Sequence, residues 1–126
     1  MHEVSSEHIA EAEKHAQLSQ QHGEVTERLG KTIQSEENQS DRGKLIEEYG
    51  KAVQAHSQAI RQHMRMARED DENSTEEYIK AGCEHIQQTQ MQVKAVKEYS
   101  KYMQQQINES KQALEKIDSI NESSNL

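Results

Sequence analysis

Histidines recur every seven residues near the start of the chain, at His8, His15 and His22. Seven residues is almost two turns of an α-helix, so the three imidazoles form one stripe along a helix. Such a stripe can bind a transition metal, exchange protons, or form the hydrated edge of a packed helix. The helices that face the stripe decide among these three possibilities.

The histidines farther along the chain extend this pattern to a possible metal site. If the chain turns near residue 40 and again near residue 72, antiparallel helices pair residues whose numbers sum to about 80 and then about 145. This register brings His15, His63 and His85 into one layer, with Cys83 alongside. The predicted metal ligands are therefore His15, His63 and His85. Proton sensing by the same imidazoles is an alternative, and semi-exposed side chains at helix edges are another.

The residue spacings that could indicate catalysis are less convincing than the histidine pattern. Cys83 is the only cysteine, so no internal disulfide can form, and His85 follows it by two residues. Side chains two apart on a helix point in different directions, which separates a nucleophile from its base. No glycine-rich phosphate loop follows a predicted strand. We therefore expect no enzyme activity and no cofactor.

The composition lies close to that of disordered chains. Apolar residues make up 31% of the 126 residues, and the net charge is −8. Globular domains usually contain ~45–50% apolar residues. Disorder is therefore a real alternative, but the absence of proline and a sustained helical period favour a single helical domain.

The acidic charge and the short apolar runs limit the partners. Nucleic acid binding requires a lysine- and arginine-rich face, which a chain of net charge −8 is not expected to provide. No apolar run approaches the ~18 residues of a membrane span, so we expect no membrane insertion. A cytoplasmic protein is predicted, and leaderless export of the kind used by secretion-apparatus substrates stays open.

Three segments with helical period predict an all-α fold. The helices span about residues 6–37, 44–69 and 75–121, followed by a polar tail at 122–126. Residues 38–44 contain Asn, Ser, Asp and Gly and predict a turn. The predicted architecture is an elongated antiparallel three-helix bundle with coiled-coil packing. If the first helix continues through residue 40, the same pattern describes a long helical hairpin.

The second and third helices carry narrow apolar seams with alternating spacings of three and four. In the third helix this spacing persists for nearly six heptads and predicts a helix about 70 Å long. The seam of the second helix consists of Ile46, Tyr49, Val53, His56, Ile60, His63 and Ala67. The seam of the third helix consists of Ile79, Gly82, Ile86, Thr89, Val93, Val96, Ser100, Met103, Ile107, Ser110, Leu114 and Ile117.

A seam this narrow does not bury enough surface to stabilise a long helix alone. Burying one Ile or Val contributes ~1.5–3 kcal/mol, whereas ordering the backbone costs ~1–2 kcal/mol per residue. The first two helices are expected to cover part of the seam, and a second copy or a protein client to cover the rest. The predicted function is a non-catalytic interaction protein: an adaptor, small chaperone or assembly subunit that we expect to be oligomeric. The alternative is a histidine-rich bundle that binds a transition metal or senses pH. The predicted partner-binding residues are Tyr99, Tyr102, Met103, Ile107, Leu114 and Ile117.

Overall fold

Three long helices account for nearly all of residues 5–124, which are the residues that the computed structural model describes. They are α1 (Ser6–Gln34), α2 (Ser40–Glu69) and α3 (Ser74–Ser124). This confirms the predicted all-α fold. The central helix α2 packs against both neighbours, whereas α1 and α3 barely touch, so the arrangement is elongated and antiparallel.

The two connections settle where the helices end. Residues 35–39 separate α1 from α2, and Asn38 adopts a positive φ of 64° that a continuous helix would not contain. The chain is therefore a three-helix structure and not a long hairpin. The turn is shorter than predicted because α2 already begins at Ser40. At the other end, α3 continues to Ser124, so residues 122–124 of the predicted polar tail are helical, and 125–126 lie outside the described residues.

Small residues at seven-residue spacing allow α1 and α2 to pack closely. Gly23 and Gly30 of α1 are buried, as are Gly43 and Gly50 of α2. A Cβ added to Gly23 would lie 2.8 Å from the carbonyl oxygen of Gly50. A Cβ on Gly50 would lie 2.5 Å from the backbone nitrogen of Glu27. The backbones are therefore too close for any side chain at these positions.

Polar pairs beside the glycines fix the register of α1 against α2. Their residue numbers sum to about 80, which confirms the predicted antiparallel register. The Gln54 amide donates to Glu27 at 2.8 Å, and Lys31 reaches the same carboxylate at 2.9 Å. Lys31 above all, and then Gln54, lower the pKa of Glu27 below its usual value. The pairs are Gln34–Glu47, Glu27–Gln54, Gln20–Arg61 and Glu13–Arg68.

A small apolar core lies where all three helices meet. Met64 is completely buried there, and Ile9 is 3% exposed. Tyr78 and Ala12 pack against this cluster from the edge. The buried members are Ile9, Ala16, Ile60, Met64, Ala67 and Ala81. Because all of them lie in the half of the bundle near the α2–α3 connection, the other half of α3 receives little apolar support.

Candidate functional site

The predicted apolar seam of α3 lies largely outside the contact between α3 and α2. We call its exposed residues the apolar strip; they are accompanied by the small or polar residues Gly82, Thr89, Ser100 and Ser110, which are also exposed. Ile79 is 62% exposed, Val96 is 64% exposed and Leu114 is 62% exposed. The strip consists of Ile79, Ile86, Val93, Val96, Met103, Ile107, Leu114 and Ile117.

A different and more polar face of α3 packs on α2. Ala81, Gln88 and Ala95 are buried there at seven-residue spacing. The Gln88 amide donates to the carbonyl oxygen of Val53 at 3.1 Å and to the Ser57 hydroxyl. Small side chains and one bonded amide therefore form this contact. We expected α1 and α2 to cover part of the seam; Gly82 and Val96 line the space between α1 and α3, and the residues of the apolar strip stay 43–64% exposed.

The last polar contacts of α3 with the rest of the chain lie near residue 105. Tyr102 donates to both carboxylate oxygens of Glu36, each at 2.7 Å, and Arg42 donates to Gln105 at 3.0 Å. The hydrogen bond to Glu36 is the main reason that the pKa of Tyr102 rises to about 12. Every residue from 107 to 124 is exposed. We call this segment the overhang; at ~1.5 Å per residue it is about 27 Å long.

The predicted partner-binding residues fall into two groups. Met103, Ile107, Leu114 and Ile117 lie on the apolar strip, the last three of them in the overhang. Tyr102 instead contacts Glu36 within the chain, and its ring stacks on Tyr99 with centroids 6.0 Å apart. The two tyrosines therefore contribute to the bundle, while the four aliphatic positions remain accessible.

An open trough runs between α1 and α3, with α2 as its floor. One end, about 230 Å³ in volume, lies over Ile60 and Met64. The other end, about 590 Å³, lies over Ile46 and Val53. His15 and His85 line both ends, so the two ends form one continuous trough along the histidine stripe of α1.

The structure separates the three predicted metal ligands. His15 and His85 line the trough from opposite sides, but His63 faces α3 and its Nδ1 lies 2.7 Å from the Glu77 carboxylate. Within residues 5–124, no group of three or more His, Cys, Asp or Glu side chains is placed to hold a metal ion. Cys83 is exposed on α3.

Two histidine–carboxylate pairs join α2 to α3. His63 forms a hydrogen bond with Glu77, as described above. About two helical turns away, His56 Nδ1 lies 2.6 Å from the Glu84 carboxylate. The hydrogen bond from His63 lowers the pKa of Glu77 below its usual value, and Lys80 acts in the same direction. The sequence placed both histidines on a seam, but it did not indicate that carboxylates of α3 would face them.

No protein-family model matches this chain, and neither a curated protein nor a solved structure matches it significantly. Among the described helices, none is long and apolar enough to cross a membrane.

Proposed function

We propose that this chain is a non-catalytic helical interaction protein that binds another polypeptide through the apolar strip of α3. An adaptor, a small chaperone and an assembly subunit all act in this way. The observation that carries the proposal is the exposure of eight large apolar side chains along one face of one helix. Soluble monomers rarely expose contiguous apolar surface of this extent unless it contacts a partner.

The energetics of the strip support docking of a helix. Fully burying one such side chain contributes ~1.5–3 kcal/mol, so covering even half of the strip supplies several kcal/mol toward association. Part of this gain offsets the loss of translational and rotational freedom on binding. The alternating spacing of three and four is the pattern through which one amphipathic helix recognises another.

The overhang gives a second reason for a partner. Isolated helices of fewer than ~12–15 residues are marginal in water, and longer ones depend on packing of an apolar face. From Ile107 to Ser124 every residue of the helix is exposed. A partner that covers Ile107, Leu114 and Ile117 would supply the missing packing.

The non-catalytic part of the proposal rests on how the polar groups are used. His56 and His63 bond carboxylates, and Tyr102 bonds Glu36. These contacts hold helices together, and Thr26, whose side chain lines the trough, donates its hydroxyl to the backbone carbonyl of His22 rather than to a histidine ring.

Site-specific photocrosslinking in cells tests the proposal. A photoreactive amino acid at Leu114, on the strip, should crosslink to a polypeptide with high yield. The matched control is Gln112, two residues away on the other side of the same helix and also exposed. Equal and low yields at both positions would show that the strip does not dock a protein.

A pH response is the second candidate, favoured by the two histidine–carboxylate pairs between α2 and α3. His56 and His63 are each about a quarter exposed, so water reaches both rings. A positively charged imidazole at this distance from a carboxylate forms an ion pair, so the geometry of the two pairs favours a tighter contact between α2 and α3 in acid.

Thermal unfolding at pH 7.5 and pH 5.5 tests this second candidate. The wild-type midpoint should rise relative to that of a His56→Gln, His63→Gln double variant on acidification. An equal change in both proteins would remove the two pairs as the source. Metal analysis of the purified protein tests the alternative that His15, His63 and His85 bind a transition metal.

A further inference from the structure

We infer that the polypeptide covering the apolar strip is α3 of a second copy of this chain, running antiparallel to the first. This inference rests on the proposed function, since it names the occupant of the same strip. Three properties of α3 support it: the position of the overhang, the order of large and small residues, and the length of the strip.

Because of the overhang, the two halves of the apolar strip lie at similar distances on either side of the midpoint of α3. The helix runs from Ser74 to Ser124, so its midpoint is near Tyr99. One half of the strip, Ile79 to Val96, lies beside the bundle, and the other half, Met103 to Ile117, lies mostly on the overhang. In an antiparallel pair each overhang covers the bundle half of the other copy, and the helix ends are flush.

The order of residues along the strip is complementary in this register. When Ile79 of one copy faces Ile117 of the other, most layers place a large side chain opposite a small one. Such alternation fills the space between helices at native density without overlap. The remaining facing pairs are Gly82–Leu114, Ile86–Ser110, Thr89–Ile107, Val93–Met103 and Val96–Ser100.

A parallel pair fits less well. In register, it would place Gly82 against Gly82, Thr89 against Thr89 and Ser110 against Ser110. Those layers contain little apolar volume and would leave gaps between the helices. The antiparallel direction is therefore the one that the sequence of the strip favours.

The strip is long enough for a specific dimer. From Ile79 to Ile117 it extends about 57 Å at ~1.5 Å per residue, and a helix is about 10 Å wide. The contact therefore covers roughly 600 Å² per copy, or about 1,200 Å² in total, the lower bound for stable interfaces. Because the strip lies largely outside the contact between α2 and α3, a second helix can reach it.

The native cysteine makes a direct test possible in the full chain. Cys83 is the only cysteine and is exposed, so a nitroxide label can be attached without mutation. In the antiparallel register residue 113 faces Cys83, so the two labels are about 30 residues, or about 45 Å, apart. Pulsed dipolar spectroscopy should give a peak near this distance. A short distance of about 10–20 Å would show a parallel pair and overturn the inference.

A matched pair of variants gives a second readout. The dimer contains two equivalent layers in which Leu114 faces Gly82, so Leu114→Asp introduces a charge into both. It should raise the Kd of the dimer by at least about 100-fold. Gln112→Asp adds the same charge on the other side of the helix and should change Kd less than about threefold. Circular dichroism establishes that both variants are folded, and sedimentation equilibrium measures Kd.

The outcomes separate this inference from the proposed function. The wild-type chain could be monomeric at several hundred micromolar and still crosslink from position 114 to a different protein. That result would contradict the inferred dimer and would support the proposed interaction function. A monomeric chain without crosslinks at position 114 overturns both. Equal weakening by Leu114→Asp and Gln112→Asp also overturns the inference.

Discussion

Gly30 of α1 and Gly43 of α2 lie against each other so closely that a Cβ on Gly43 would lie 2.7 Å from the Gly30 carbonyl oxygen. On the other side, a Cβ on Gly30 would overlap the backbone of Glu47. Glycine costs a helix up to about 1 kcal/mol per position, so its presence here reflects the approach of the two backbones.

Gly30→Ala should therefore lower the free energy of unfolding by about 1–3 kcal/mol, because the added methyl group forces α1 away from α2. The control is Gly82→Ala in α3, where a Cβ meets nothing within 4 Å. In the dilute, monomeric chain, where Gly82 has no facing copy, this control should be neutral or stabilising by up to about 1 kcal/mol through helix propensity. Urea unfolding followed by circular dichroism measures both; equal destabilisation would contradict the close α1–α2 packing.

The Tyr102–Glu36 hydrogen bond should be visible in the alkaline titration of the tyrosines. In the folded chain the pKa of Tyr102 is raised to about 12 from its usual value of 10.0. A raised pKa stabilises the fold below pH 10, and this contribution is lost as pH rises toward 12. Absorbance at the phenolate band should show one of the four tyrosines titrating late, and Tyr102→Phe should abolish this late step. Persistence of the step in Tyr102→Phe would place it on another tyrosine.

The His63–Glu77 pair should make stability depend on acid. The pKa of Glu77 is lowered from 4.5 chiefly by the His63 hydrogen bond, so its contribution is full above pH 4.5 and is lost as pH falls through the folded pKa. Glu77→Gln should destabilise the chain at neutral pH and approach wild type in strong acid. Glu76→Gln is the control, since Glu76 is mainly exposed and pairs only with Lys80 at 3.7 Å in the described contacts. Parallel pH–stability curves for Glu77→Gln and wild type would exclude the pair as a source of this dependence.

Two isoleucine substitutions should separate association from folding. Ile9 is buried in the core, so Ile9→Asp should lower the thermal midpoint strongly, because a charge enters an apolar cluster. Ile107 is 55% exposed, so Ile107→Asp should leave the midpoint of the dilute chain nearly unchanged and weaken association. Light-scattering mass and thermal unfolding, measured on both variants, check this. Unchanged mass and partner binding for Ile107→Asp would show that the strip is not the docking surface.

The sequence predicts the helices and their order because apolar spacing and loop composition are local properties. It also predicts the α1–α2 register, as the Glu27–Gln54 and Glu13–Arg68 pairs confirm. It does not predict which face of α3 meets α2. Hydrophobicity alone would place the strip against α2, whereas the structure places Ala81, Gln88 and Ala95 there. The alanines are small, and the Gln88 amide forms hydrogen bonds with α2.

The missed features share a physical cause. The glycines at positions 23, 30, 43 and 50 weaken a helix by propensity alone, and only their common seven-residue spacing indicates close packing. Tyr102 and Glu36 are 66 residues apart in sequence, so no local pattern could pair them. For the predicted histidine site, spacing placed His15 and His85 along one trough but could not show that Glu77 would face His63.

Hydrogen exchange of the backbone amides tests the central claim most directly, because it reports whether the overhang is supported by its own chain. In the dilute, monomeric protein, residues 107–124 should exchange far faster than α2, and assembly with the partner should slow them by at least about tenfold. Protection of residues 107–124 equal to that of α2 in a monodisperse single chain would contradict the account, since the strip would then need no second polypeptide.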